Sequence, residues 1–292
     1  MWLRTLAVTA WGLAGCRFDA EPGDSQFACT AAEPSCPEGL VCADGRCRDP
    51  GMIDAGGAVD GATASAYAAA VLADGPILYL RLDDQDNSAR DSSPAQNDGI
   101  YLGGVTHLAT GALAEANGAA SFDGDNDEID VNDSAALRLN GDFTIELWAR
   151  AAATELAYPG VVRKGDPTFA GTGYLIYYRG TAINNLVFKR DGHDDLCADM
   201  TPLSFDVFHH YALVHRQSEK TLTWYADGEE DTAYTDITFS VDDDDGDLSF
   251  AQGDSFGAEA LDEIAFYDRA LTRERLLAHL DAAVRVSTLP SK

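Results

Sequence analysis

The chain predicts an all-β fold in which two antiparallel sheets pack face to face and a short helix closes the C-terminal end. Three observations lead there. Apolar and polar residues alternate with a period of two over several separate stretches. Gly-, Asn- and Asp-rich turn signals punctuate those stretches. Only one segment, near the C-terminus, shows a clear helical stripe.

Taken in chain order, the first segment is a targeting signal. Arg4 supplies a positive charge, and Leu6 to Leu13 form an apolar run too short to span a bilayer as a helix. Leu13-Ala14-Gly15-Cys16 resembles a bacterial lipobox, which makes residues 1–15 the signal and Cys16 the lipidated N-terminus; a cleaved signal with a chance cysteine is the alternative. Arg17 follows, and by resemblance to known sorting rules a residue other than Asp there favours the outer membrane or cell surface. Residues 16–48 then hold Cys29, Cys36, Cys42 and Cys47 in FACTAAEPSCPEGLVCADGRC. So short a segment has no room for an apolar core, so covalent staples are expected. Two disulfides among these four cysteines, in any of three connectivities, suit an exported protein better than a four-cysteine zinc site, which lacks its C-x2-C pairs. Cys197 falls outside that set and is expected to be a quiet buried thiol, not a nucleophile. Residues 49–63, DPGMIDAGGAVDGAT, read as a flexible spacer.

The β-domain spans residues 64–286, with a tail at 287–292. In Thr144 to Arg150, Ile145, Leu147 and Ala149 share one face, and Glu146, Trp148 and Arg150 the other. Thr221 to Asp227 places Leu222, Trp224 and Ala226 on one face. Gly173 to Arg179 and Asn185 to Arg190 read as a hairpin around Gly180-Thr181. The helix starts at Thr272, an N-cap type residue, with Glu274 in its first turn and an apolar stripe of Leu276, Leu277, Leu280 and Val284.

Spaced motifs add a family resemblance. AASFDGDNDEIDVNDSAALRLNGDFTIELWAR (119–150) has a strand, the turn Phe122-Asp123-Gly124, a short strand from Glu128 to Val131, and a long strand from Phe143. Upstream lie YAAAVLADGPILYLRLDD (67–84) and, within 91–101, Asp91-Ser92-Ser93 followed by Asn97-Asp98-Gly99. Downstream lie FHHYALVHRQSEKTLTWYADGEE (208–230) and ALDEIAFYDRALTRERL (260–276). Together these resemble the laminin-G-like jelly roll of the concanavalin A-like lectin and glucanase superfamily. The resemblance implies a jelly-roll sandwich preceded by the small disulfide-rich module, and a recognition domain in preference to an enzyme. It also implies a structural calcium, whose ligands match Asp84, Asp91, Asn97 and Asp262 here, although Pro94-Ala95-Gln96 departs from the family's Gly-Asn-Gly type run.

Charge and composition narrow the partners. There are 49 acids against 20 bases, a formal net charge of −29. Such a chain is not attracted to nucleic acid or to an anionic membrane surface, so anchoring falls to the lipid alone. Glu128-Ile129-Asp130-Val131-Asn132-Asp133 resembles the catalytic strand of laminarinase-type glycosidases. A retaining enzyme needs a second carboxylate near the first, and this chain offers Asn132 and Asp133 there. DGDNDEID and DDDDGD resemble calcium loops but do not match the helix-loop-helix pattern. His209 and His215 face one way on a strand and His210 the other, which favours strand packing over a shared metal. For carbohydrate, an aromatic beside polar groups is required. Glu146, Trp148 and Arg150, extended by Tyr177 and Arg179, offer that combination. The expected function is therefore a surface-anchored lipoprotein whose non-catalytic head binds carbohydrate or an extracellular protein. The alternatives are an envelope adhesion protein without glycan binding and a glycan-cleaving hydrolase.

Overall fold

The computed structural model describes residues 41–43, 46–48, 65–113, 117–151, 158–165, 173–179, 186–190, 196–198, 205–241, 244–252 and 259–284. The chain divides into two compact units, Met1–Thr63 and Ala64–Lys292. In the first, β1 (Val41–Ala43) and β2 (Arg46–Arg48) form an antiparallel pair whose register sets Cys42 opposite Cys47. Cys16, Cys29 and Cys36 lie outside the described residues, as do the side chains of Cys42 and Cys47.

The second unit opens with α1 (Ala66–Ala73), capped by the Ser65 side chain, which accepts from the Ala68 N–H at 3.0 Å. Strands β3 (Leu78–Leu80), β4 (Ser88–Ala89), β5 (Gly99–Leu102), β6 (Thr106–Thr110), β7 (Gly118–Ser121) and β8 (Glu128–Val131) follow. A 3-10 turn at Ala135–Arg138 precedes the long β9 (Phe143–Ala151). Next come β10 (Gly160–Lys164), β11 (Tyr174–Tyr178), β12 (Leu186–Arg190), β13 (Leu196–Cys197), β14 (His209–Arg216), β15 (Thr221–Ala226), β16 (Glu229–Tyr234), β17 (Leu248–Phe250), β18 (Glu259–Tyr267) and α2 (Arg273–Val284).

These strands make two antiparallel sheets. The first runs β13-β12-β11-β10-β17-β8-β5-β4, and the second β16-β15-β14-β9-β18-β7-β6, with β3 also pairing β18. Every second side chain of each strand points between them, as the alternation predicts. Ile145, Leu147 and Ala149 meet Ile129, Val131, Leu248, Phe250, Ile176 and Phe188 there. Leu222 and Trp224 join the same core. The 174–178 and 186–190 segments pair as the expected hairpin, Ile176 opposite Phe188.

Both helices lie on the outer face of the second sheet. Tyr67 and Val71 of α1 and Leu276 and Ala283 of α2 pack with Ala212, Val214, Tyr225 and Ala265 of the strands beneath. The turn at Asp227-Gly228 fits under α2. Both residues have positive φ, 49° and 81°, and a Cβ on Gly228 would stand 2.7 Å from Leu280 Cδ1.

Candidate functional site

The two sheets differ in what their outer faces carry. On the second, β9 directs Glu146, Trp148 and Arg150 outward, as the period of two requires. That face is not open. Glu146 is completely buried under the helices, and four donors converge on its carboxylate. His210 Nε2 lies 2.8 Å away, His279 Nδ1 3.0 Å from both oxygens, and the Tyr67 and Tyr267 hydroxyls donate at 3.2 Å. Burial alone would raise the Glu146 pKa, but the hydrogen bonds and charge of His210 and His279 outweigh it and hold the carboxyl well below its usual range. Trp148 Nε1 donates to Tyr67 Oη at 3.1 Å, and the Arg150 guanidinium lies 4.9 Å from the Phe208 ring centroid.

The expected sugar platform is therefore corrected. Glu146 is a structural acceptor beneath two helices. Tyr177 lies on β11 of the first sheet and Arg179 directly follows that strand, so they do not extend a surface on the second. Tyr177 is itself buried with Leu175, Val187 and Cys197 in a small apolar cluster, and Arg179 Nη1 lies 3.0 Å from Cys197 Sγ. The alternation fixed the side of each residue, but not what covers it.

On the first sheet, backbone register aligns one row of outward residues across six strands. Lys189 faces Leu175, Leu175 faces Arg163, Arg163 faces Ser249, Ser249 faces Asp130, and Asp130 faces Ile100. Glu128 is the neighbour of Asp130 on β8. Both carboxyls are partly buried and both pKa values are raised. Desolvation is the main cause for each; Asp130 adds repulsion on Glu128, and Asp247 adds it on Asp130. Arg163 Nη1 donates to Gln252 Oε1 at 3.3 Å, and Ser249 Oγ lies 3.4 Å from Asp130 Oδ1. Ile100 and Leu102 stay 50% and 38% exposed beside the acids. This face presents two part-exposed carboxyls next to exposed apolar surface, with the Arg163 guanidinium and the Ser249 hydroxyl largely buried beside them. Sequence alone suggests Glu128 and Asp130 only as catalytic groups, although their outward register is visible in it.

Asp133, which stands in for the second carboxylate of a glycosidase strand, pairs with Arg138 at 2.6 Å and Lys164 at 2.7 Å, and the Arg138 hydrogen bond leads in holding its pKa below the ordinary value.

The four expected calcium ligands are not gathered into one set. Asp91 accepts from Tyr79 N, Ser93 N, Ser93 Oγ and Asn97 N at 2.7–2.8 Å. Asn97 Nδ2 donates to Ile77 O at 3.0 Å. Asp84 takes Arg90 Nη1 at 2.7 Å and the Tyr101 hydroxyl at 3.2 Å. Among the described residues no three carboxylate, histidine or cysteine side chains gather as a metal would require. Asp262 makes contacts of its own. Its Oδ2 accepts from Ala112 N at 2.8 Å, while its Oδ1 is buried without a partner. Asn117 Oδ1 is likewise buried and unpartnered. A Cβ built on Gly111 would lie 3.0 Å from Asp262 Oδ2, 3.4 Å from Asn117 Oδ1 and 2.9 Å from Asn117 O, so these oxygens border one small space. Burial, with repulsion from Asp83, pushes the Asp262 pKa up to about 8.

The family model of the concanavalin A-like lectin/glucanases superfamily, Laminin_G_3, matches residues 123–276. The chain belongs to this family. Three solved structures share the fold of this laminin-G-like domain. The binding domain of Paraclostridial Mosquitocidal Protein 1 is 18% identical, with a TM-score of 0.56 over 71% of this chain and 52% of that one. The receptor binding domain of botulinum neurotoxin C/D mosaic serotype is 13% identical, with a TM-score of 0.58 over 71% and 51%. The botulinum neurotoxin serotype D ligand binding domain, solved in complex with N-acetylneuraminic acid, is 13% identical, with a TM-score of 0.58 over 74% and 52%. The laminin-G-like chain thus spans about half the length of each. A search of curated protein sequences found no match.

Proposed function

We propose that this laminin-G-like domain is a non-catalytic binding head that takes carbohydrate or an extracellular protein on the outer face of its first sheet. One observation carries the reading: α1 and α2 pack over Glu146 and its neighbours on the second sheet's outer face, whereas the first sheet's outer face carries the part-exposed Glu128 and Asp130 beside exposed Ile100 and Leu102. A recognition surface needs that mixture of polar hydrogen-bonding groups and apolar contact. The double ion-pairing of Asp133 supports binding without hydrolysis. The N-acetylneuraminic acid of the serotype D complex was bound by a chain of which this one covers about half, so it does not name the ligand here. A net charge of −29 favours neutral or cationic ligands over sialylated ones. A glycan array on the purified protein tests the reading, with Asp130→Ala as control. Binding that Asp130→Ala weakens tenfold or more supports it. Glycan binding that the variant leaves untouched places the site elsewhere, and a blank array leaves protein contacts through Ile100 and Leu102, an adhesion role, as the reading.

Two further features belong to this proposal. Leu13-Ala14-Gly15-Cys16 supports lipid anchoring at the bacterial envelope, with the 49–63 segment as spacer. The family resemblance implies calcium, and the orphaned oxygens of Asp262 and Asn117 fit a hard cation better than the Asp84, Asp91 and Asn97 set does. A cation there would neutralise the buried Asp262 carboxylate and tie β18 to the β6–β7 connection. Its role would be structural.

A further inference from the structure

One ring lies between both helices and the second sheet. His279, on α2, is completely buried. Its Nδ1 lies 3.0 Å from both Glu146 oxygens, and its Nε2 lies 2.9 Å from Asp74 Oδ2. Both ring nitrogens therefore meet carboxylates, which accept and do not donate when ionised. A neutral imidazole carries one proton and satisfies only one of these contacts. At the other, lone pairs would face each other across a contact whose imidazole is buried. The geometry requires the imidazolium.

The partners come from every element packed around the ring. Asp74 is the C-cap of α1 and is also gripped by Arg275 Nε of α2 at 2.8 and 3.0 Å. Tyr67, also from α1, meets the ring edge-on with centroids 6.2 Å apart, and Tyr267 of β18 stacks on it at 6.5 Å. Glu146 and Trp148 come from β9 and His210 from β14. Tyr79 of β3 and Glu263 of β18, joined by a hydrogen bond, lie next along the sheet. A protonated His279 sets one positive charge between the Glu146 and Asp74 carboxylates, beside His210 on Glu146 and Arg275 on Asp74. Loss of the proton removes that charge and turns one ring contact into facing lone pairs, which is unfavourable where the groups are buried.

We propose that His279 is a proton-operated pin: doubly protonated, it fastens α1 and α2 to the second sheet, and loss of that proton releases them and uncovers the face that carries Glu146, Trp148 and His210. Burial pulls the ring toward neutrality, but its hydrogen bonds and attraction to Glu146 and Asp74 outweigh that and raise its pKa. A raised folded-state pKa gives stability that is complete below the ordinary histidine value and is lost as pH rises through the raised one. The depressed Glu146 pKa means that its contribution persists well into acid. Release is therefore an alkaline event.

Nitrogen-15 histidine spectra of the full chain, recorded from pH 6 to 10, test this directly. His279 should carry protons on both ring nitrogens at pH 7 and lose one only above it. Amide protection factors in 66–73 and 273–284 should fall at least tenfold through the same step, while those of β9 and β14 hold. His279→Gln should abolish the step. A neutral His279 at pH 7 overturns the proposal, and so does an unchanged step in His279→Gln. If that variant does not fold, the wild-type spectra and protection factors decide alone.

Discussion

The Lys164 ammonium lies 2.7 Å from Asp133 Oδ1 and also donates to the carbonyl oxygens of Asp244, at 3.1 Å, and Gly246. The lysine is completely buried as a side chain. Its three N–H groups therefore have three acceptors, two of them from the acidic run that resembles a calcium loop. An internal ammonium occupies the cation's role at that loop. Gly165 makes room for it: its φ is 84°, and a Cβ there would stand 2.5 Å from the Asp244 carboxylate.

Lys164→Met should therefore destabilise the domain by about 2–4 kcal/mol. It keeps the apolar stem but removes the ammonium that donates to both carbonyls, at roughly 1–3 kcal/mol for each buried hydrogen bond lost. Asp133 retains Arg138, which limits the loss. Urea unfolding at pH 7 measures it. A change below about 0.5 kcal/mol, the range of ordinary surface substitutions, would show that water replaces the ammonium freely.

Glu146→Ala should cost about 3–5 kcal/mol, as expected when one partner of a buried charge pair is removed. It leaves His279 charged between Asp74 and an empty site, and it strips His210 Nε2 of its acceptor. The same variant should leave ligand binding by the folded protein unchanged, because Glu146 has no exposed surface. A variant with wild-type stability and lost binding would restore the platform on the second sheet.

The strands were legible because half-buried sheets print their burial as alternation. Ile145, Leu147 and Ala149 on one side, and Leu222 with Trp224 on another strand, face the core as read. The short segments Thr106–Thr110 and Leu248–Phe250 are not distinguished by alternation, because each is too short for it to be decisive. Gly118–Ser121 has little side chain to alternate and is read only from the turn that follows it in the family motif. The environment of Glu146 was hidden for a different reason. Its cover comes from α1 and α2, 79 and 133 residues away at Tyr67 and His279, and local periodicity carries no information at that separation. One signal was present: His279 lies three residues after Leu276 and four before Ala283, so a titratable ring sits in the helix's buried stripe.

Cys16→Ser should move the protein from the membrane fraction to the soluble fraction of the envelope. The short apolar run of residues 6–13 cannot hold a bilayer without lipid, and no helix of the described residues is long and apolar enough to cross one. Fractionation with mass spectrometry of the native N-terminus checks this. A native N-terminus at any residue other than Cys16 would exclude the lipobox reading.

Calcium should stabilise the β-domain through Asp262 and Asn117, not through Asp84 and Asp91. The reason lies in which oxygens are already engaged. Asp91 accepts four donors and Asp84 is paired with Arg90, so neither gains by turning toward an ion. Asp262 Oδ1 and Asn117 Oδ1 have no partner and are buried, so a cation would relieve a standing desolvation penalty. At a free concentration a hundredfold above the dissociation constant, an ion that binds only the folded state adds about 2.7 kcal/mol. In a domain of this size that raises Tm by roughly 2–4 °C per kcal/mol. Thermal unfolding in calcium and in chelator should differ accordingly. Asp262→Asn should erase the difference while melting close to the wild type in chelator, because with its pKa pushed up to about 8 the carboxyl is largely neutral at pH 7 and the amide replaces it at similar size. Asp84→Ala should keep the calcium shift, whatever it does to baseline stability. Wild-type protein that melts at one temperature with and without calcium would show that the two orphaned oxygens are not a cation site, and a shift lost in Asp84→Ala but kept in Asp262→Asn would return the site to the first-strand acids.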